Sequence, residues 1–282
     1  GRCSVPMTGV PGPMTPAQAV LLGLVQGLTE FLPISSTAHL RIVPHFLGWS
    51  DPGAAFSAAI QLGTLLAVFI YFAADIRRLT RAAIDGLVHR DLHRSPDTLM
   101  AWAIVPATIP IVVFGLGFKD YIETELRNLS VISTALIVLA LLLLLAESVS
   151  RRDRSLGQLT FWRIQIIGWC QALALVPGCS RSGSTIMGGL FVGLSRHEAA
   201  RFSFLLGLPA IAGSGLFELM ELIAADIGTD GLVNLGIGIG VAAVSGYVSI
   251  GFLLRFLERF GTHAFAFYRI ALGIGILYSL HA

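Results

Sequence analysis

The chain has 282 residues, 55% of them hydrophobic and only 13% charged, with a formal net charge of +2. A soluble domain carries about 25% charged residues, so this chain cannot cover a water-facing surface, and its near-neutral balance gives no electrostatic support for nucleic-acid binding. Its apolar runs are roughly 18–23 residues long, whereas barrel strands show about ten alternating residues, so the expected class is an all-α polytopic membrane protein.

The first stretch, "GRCSVPMTGVPGPM", lacks a basic start followed by an apolar core and does not read as a signal peptide. Residues 1–14 are expected to be a cloning remnant or frayed tail, and 15–282 a single membrane domain. Cys3, Cys170 and Cys179 show neither a metal-ligand spacing nor a disulfide framework. The latter two are expected to be small packing residues.

Next come two short apolar segments over 17–48, broken at "QGLTEFLPISSTAHL" (26–40). Spans follow at 55–74, 99–117 and 129–147. A second broken pair covers 164–195, interrupted at "PGCSRSGST" (177–185), and is followed by spans at 199–222, 232–254 and 264–280. No segment of either broken pair crosses a bilayer comfortably, so each pair is expected to be a re-entrant helical hairpin. Such breaks at membrane depth need protein or a hydrated cavity around them.

Loop charges orient the spans. Eleven arginines fall in 75–98, 148–163 and 255–263. Only Lys119 and Arg127 fall in the alternate loops, 118–128 and 223–231. The arginine-rich loops are therefore expected to be cytoplasmic, and the two hairpins to dip in from opposite sides. That predicts an inverted repeat, about 17–147 and about 164–280. At an offset of 145, Gln26, Ser35, Phe46, Gly48 and Ser50 fall on Gln171, Ser180, Phe191, Gly193 and Ser195. Inverted repeats place sites near the midplane, where broken helices meet.

In the first hairpin, Gln26 and Glu30 share a helix face. Pro33 ends that helix. Ser35, Ser36 and Thr37 open the next, whose N-terminus favours an anion, and His39 lies three residues beyond Ser36 on the same side. In the second, Ser180, Ser182, Ser184 and Thr185 open a helix beside Arg181, whose fork geometry suits phosphate. Hydroxyls at helix starts are also ordinary caps, and a lone histidine in an apolar helix is often a satisfied core group. A glutamate and an arginine at membrane depth are costlier to explain away. Gln61 is either a ligand contact or a packing group. Arg269 is expected to pair with Glu218 or Glu221, or to reach a lipid headgroup.

Together "QGLTEFLPISSTAHL" and "PGCSRSGST" resemble the two signature motifs of the bacterial undecaprenyl-diphosphate phosphatase family, the group linked to bacitracin resistance. The likeness extends to "FSAAIQLGTLLAV" (56–68), "RFSFLLGLPA" (201–210) and "FYRIALGIGIL" (267–277). It implies a plasma-membrane phosphatase that regenerates the monophosphate lipid carrier of cell-wall synthesis. It further implies a divalent cation (Mg²⁺ or Ca²⁺) and a site open to the extracytoplasmic face. The first motif position takes Glu or Gln, and here it is Gln26, leaving Glu30 as the one carboxylate and the expected metal ligand.

On that reading Ser36, His39, Glu30 and Arg181 are the catalytic candidates. Ser36 is the nucleophile, His39 the base or leaving-group acid, and Arg181 the phosphate clamp; His39 or a metal-bound water are the other nucleophiles open. Gln26, Ser35, Thr37, Ser180, Ser182, Thr185 and Gln61 are the substrate-binding candidates. The partners are a C55 polyprenyl diphosphate and membrane lipid, with a homodimer one assembly open to it. A transporter of a polyprenyl phosphate is the competing class, since broken-helix inverted repeats also build transporters. A bare scaffold has no use for Glu30 and Arg181. The other lipid-phosphatase superfamily is excluded because the chain contains no Ser-Gly-His sequence.

Overall fold

A computed structural model describes residues 14–224 and 227–281, and within these the chain is helical, with no strand. Cys3 and nearly all of the expected tail lie outside the described residues. Six helical stretches are long and apolar enough to cross a bilayer: 53–71 (α3 and α4, Gly53–Ala59 and Gln61–Tyr71), α6 (Pro96–Gly117), α8 (Leu129–Val149), α11 (Arg196–Ala224), α12 (Gly228–Arg259) and α13 (His263–His281). They coincide with the six runs read from hydropathy. The segment after the first span is less of a loop than its charge suggests. Its first half is α5 (Ala73–Val88), carrying Arg77, Arg78 and Arg81. Arg78 bridges Asp75 and Asp97, tying α5 to the start of α6.

Both broken pairs are helix–break–helix. The first is α1 (Pro16–Glu30) and α2 (Ser36–Phe46). The second is α9 (Phe161–Ala172), a short 3₁₀ turn, and α10 (Arg181–Phe191). Two clusters of ion pairs and hydrogen bonds show that the hairpins end on opposite sides. Asp51, just past α2, is gripped by Arg127 at 2.9 Å and Arg41 at 3.3 Å, so the first hairpin returns to the 118–128 loop. Past α10, the backbone N–H groups of Arg154 and Ser195 bond Gly193 O and Arg154 O, so the second returns to the arginine-rich 148–163 loop. Those two loops lie at the two ends of α8.

The packing repeats as well. Helix α1 lies on α12 while α9 lies on α6, and α8 pairs with α13. Gly23 and Gly168, 145 residues apart, are both points of close approach. A Cβ there would run into Gly238 O and Ala107 O respectively. Any side chain at either position would force the two helices apart.

The tips match in backbone detail. Ser35 (φ 75°) and Ser180 (φ 68°) both cap their helices in left-handed backbone, and their hydroxyls accept from Ala38 N–H and Gly183 N–H. Left-handed backbone costs a non-glycine residue about 1–2 kcal/mol, so something must hold it. Arg269 supplies part of the hold. It neither reaches a headgroup nor pairs with Glu218 or Glu221, which bond Lys119 instead. Fully buried, it donates to Pro33 O (3.0 Å) at the first tip, Gly178 O (2.8 Å) and Cys179 O (3.2 Å) at the second, and Ala135 and Leu136 carbonyls on α8. A buried cation is tolerated because carbonyls satisfy its donors.

Candidate active site

The two tips meet side chain to side chain. Glu30 ends α1, and its Oε1 accepts from Arg181 Nη2 at 2.7 Å across the repeat. Its Oε2 accepts from Ser36 Oγ at 2.5 Å and from Gln26 Nε2 at 2.8 Å. The carboxylate is thus buried and fully engaged. Arg181 also donates to Gly207 O at 3.3 Å. A further link, Ser182 Oγ to Leu32 O at 3.0 Å, joins the breaks themselves.

These groups form one wall of a cavity of about 510 Å³, bordered by Glu30, Ser36, Thr37, Gln61, Ser180 and Arg181. Its other walls are largely apolar. Val112 and Leu116 of α6 line it and are themselves exposed, so the cavity has an open apolar flank along α6. It extends to the arginine-poor end, where Lys119 and Glu123 of the short α7 (Lys119–Glu123), Arg127 and Glu218 border it. There Lys119 bonds Glu221 at 2.8 Å and Glu218 at 3.2 Å and lies over the Phe217 ring. Burial works against its charge, but its hydrogen bonds to Glu221 and Glu218, with their negative charge, outweigh that and raise the ammonium pKa.

Not every sequence candidate reaches the cavity. Gln26 is fully buried behind Glu30, with its Oε1 unpartnered. Ser35 is spent on its cap. Ser182 and Thr185 are buried behind Arg181, Thr185 bonding Arg181 O at 2.7 Å and Ser203 at 2.5 Å. His39 does not meet Ser36. Its Nδ1 lies 2.7 Å from Ser35 O and its Nε2 lies 2.7 Å from the Tyr268 hydroxyl, whose ring stacks on it. The i,i+3 spacing is helical, but the bond back to Ser35 O turns the ring towards α13. Tyr268 and Lys119 were missed from sequence. A lone tyrosine before an arginine carries no motif, and Lys119 reads as an ordinary loop charge.

The protein donors alone do not fit a divalent cation. Both Glu30 oxygens are occupied, Gln26 Oε1 is a buried oxygen beside them without a partner, and among the described residues no three His, Cys, Asp or Glu side chains form a group that could hold a metal ion. Hard cations take six or more oxygens.

Fold and site define a class: a polytopic membrane protein whose two broken helices bring a hydroxyl, a carboxylate and a guanidinium to one cavity. Sequence comparison takes this further. The family model described as "Bacitracin resistance protein BacA" matches residues 19–275, and the chain belongs to that family. It is 53% identical to the undecaprenyl-diphosphatase of Chloroherpeton thalassium over 271 residues, covering 92% of this chain and 95% of that one. The undecaprenyl-diphosphatase of Chlorobium phaeobacteroides is 53% identical over 275 residues (94% and 96%). That of Prosthecochloris aestuarii is 52% identical over 271 (92% and 95%).

Proposed function

We propose that this protein is an integral membrane undecaprenyl-diphosphate phosphatase, which removes the terminal phosphate to yield undecaprenyl phosphate and inorganic phosphate. In the bacterial plasma membrane that reaction returns the carrier to peptidoglycan synthesis and gives bacitracin resistance. The observation that carries the reading is the meeting of Ser36, Glu30 and Arg181 at a cavity with an apolar flank.

The chemistry follows from these groups. Phosphoryl transfer needs charge neutralisation and alignment more than bond-making assistance. The diphosphate draws Arg181 from Glu30 onto its own oxygens, with Ser180 Oγ and Thr37 beside it. Ser36 Oγ is thereby left bonded to a carboxylate that has lost its counter-charge and is a better base. Ser36 Oγ attacks the terminal phosphorus, its proton passes to Glu30 Oε2, and the lipid monophosphate leaves. Water then hydrolyses the phosphoserine, with Glu30 assisting. Gln26 holds Glu30 in place, and Gln61 borders the substrate. The isoprenoid lies along the α6 flank, partly in lipid. Mg²⁺ or Ca²⁺ belongs to this reading as a counter-ion carried by the diphosphate.

By the positive-inside reading the cavity opens outwards. Cysteine labelling from outside should reach positions near Glu123 and Asp230 and spare Arg152; the reverse pattern overturns the orientation. The reaction itself is tested with pure protein in detergent, without a gradient. Phosphate release from a C55 diphosphate with Mg²⁺ or Ca²⁺ added supports the enzyme. No release by folded protein favours a transporter of the same anion.

A further inference from the structure

The mechanism leaves one buried titratable group of the first hairpin unused: His39. Its ring is fixed at both nitrogens. A carbonyl only accepts, so the contact to Ser35 O places the proton on Nδ1. In the neutral ring Nε2 is then a lone pair, and the Tyr268 hydroxyl, 2.7 Å away, donates to it. The two rings stack with centroids 5.7 Å apart and planes 8° from parallel. Neither nitrogen is directed at Glu30 or Ser36, and His39 does not border the cavity.

What His39 does hold is the Ser35–Ser36 peptide. Ser35 has a left-handed φ of 75°, and its carbonyl also takes the first backbone bond of α2, from His39 N–H at 3.3 Å. Rotation of that peptide would swing Ser36 Oγ away from Glu30. The second hairpin has the same turn at Ser180, and the residue equivalent to His39 there is Ser184, whose hydroxyl has no partner. The imidazole hold thus exists only on the arm that carries the hydroxyl bonded to Glu30.

We infer that Tyr268 and His39 form a positioning pair, Tyr268 fixing the imidazole and the imidazole fixing the Ser35 carbonyl, so that Ser36 Oγ stays on Glu30. His39 then needs no proton exchange with substrate. The inference rests on Ser36 being the nucleophile.

The test compares phosphate release by His39→Asn, His39→Gln, His39→Ala and Tyr268→Phe. An asparagine amide can occupy the Nδ1 position and donate to Ser35 O; glutamine reaches the Nε2 position instead. The expected result is rescue by Asn, with kcat within about tenfold of wild type and KM unchanged, while Gln and Ala lose about 100-fold or more. Tyr268→Phe should lower kcat a few-fold in the wild-type background and not at all on top of His39→Asn. An Asn variant as inactive as Ala, or a Tyr268→Phe effect that persists on His39→Asn, overturns the pair.

¹⁵N-histidine NMR, assigned by the signal lost in His39→Asn, gives a readout independent of turnover. An Nδ1–H tautomer supports the pair, and an Nε2–H or doubly protonated ring overturns it. Failure of the underlying reading looks different: Ser36→Ala would keep its turnover while the tautomer stayed as inferred.

Discussion

The two re-entrant hairpins share a backbone and differ in chemistry. Ser35 and Ser180 make the same turn, and the next residue, first in its helix, is Ser36 in one and Arg181 in the other. Where the first arm has Glu30, the second has Leu175 at the same offset. One arm therefore carries a hydroxyl and a carboxylate, the other a guanidinium, and the fold turns them towards each other. A site needing a nucleophile, a base and an anion clamp is built from two copies of one geometric solution, each able to carry part of it.

Ser36→Ala should break the first arm most severely. Turnover should fall on the order of 10⁴-fold, with Tm nearly unchanged because the Glu30–Arg181 pair survives. Substantial remaining phosphate release would move the nucleophile to water. On the second arm, Arg181→Ala should cost about 10³-fold or more, as for arginines that neutralise a transferring phosphoryl group. It should also destabilise the fold, since Glu30 is left buried and unpaired. The double variant Glu30→Gln/Arg181→Met should be more stable to heat than Arg181→Ala alone. A double variant less stable than the single one would mean that the pair does not share a desolvated contact.

Arg269→Met removes what both tips share. Several carbonyls lose their donor at once, each costing about 1–3 kcal/mol when buried. Thermal unfolding in detergent should shift down strongly, before any kinetic effect is read. Gln26→Glu should have a smaller effect that bears on the cation. A second carboxylate beside Glu30 should lower the Mg²⁺ or Ca²⁺ concentration needed for half-maximal activity a few-fold; an unchanged requirement would separate the cation from this arm. Lys119→Met should matter least to stability, under about 1 kcal/mol, as its ammonium is partly exposed and screened.

The membrane class, the six spans and the two breaks were legible because hydropathy and proline act locally. The opposite directions of the hairpins were legible from arginine counts, and Asp51 and Gly193 end on the two sides as those counts require. The direct contact between Glu30 and Arg181 needed the fold, since 151 residues separate them. So did the partners of Arg269, because backbone carbonyls leave no mark in a sequence. His39 shows the limit of helical spacing: periodicity places a side chain on a face, and the local hydrogen bond then decides which way the ring turns.

The paired serine turns also bear on how such a protein arises. A half-length ancestor able to insert in both orientations would present the same residue at both helix starts. Two hydroxyls would lack a clamp, and two guanidiniums would lack a nucleophile. The present chemistry requires the two arms to differ, so an assembly of two identical halves could not carry this site.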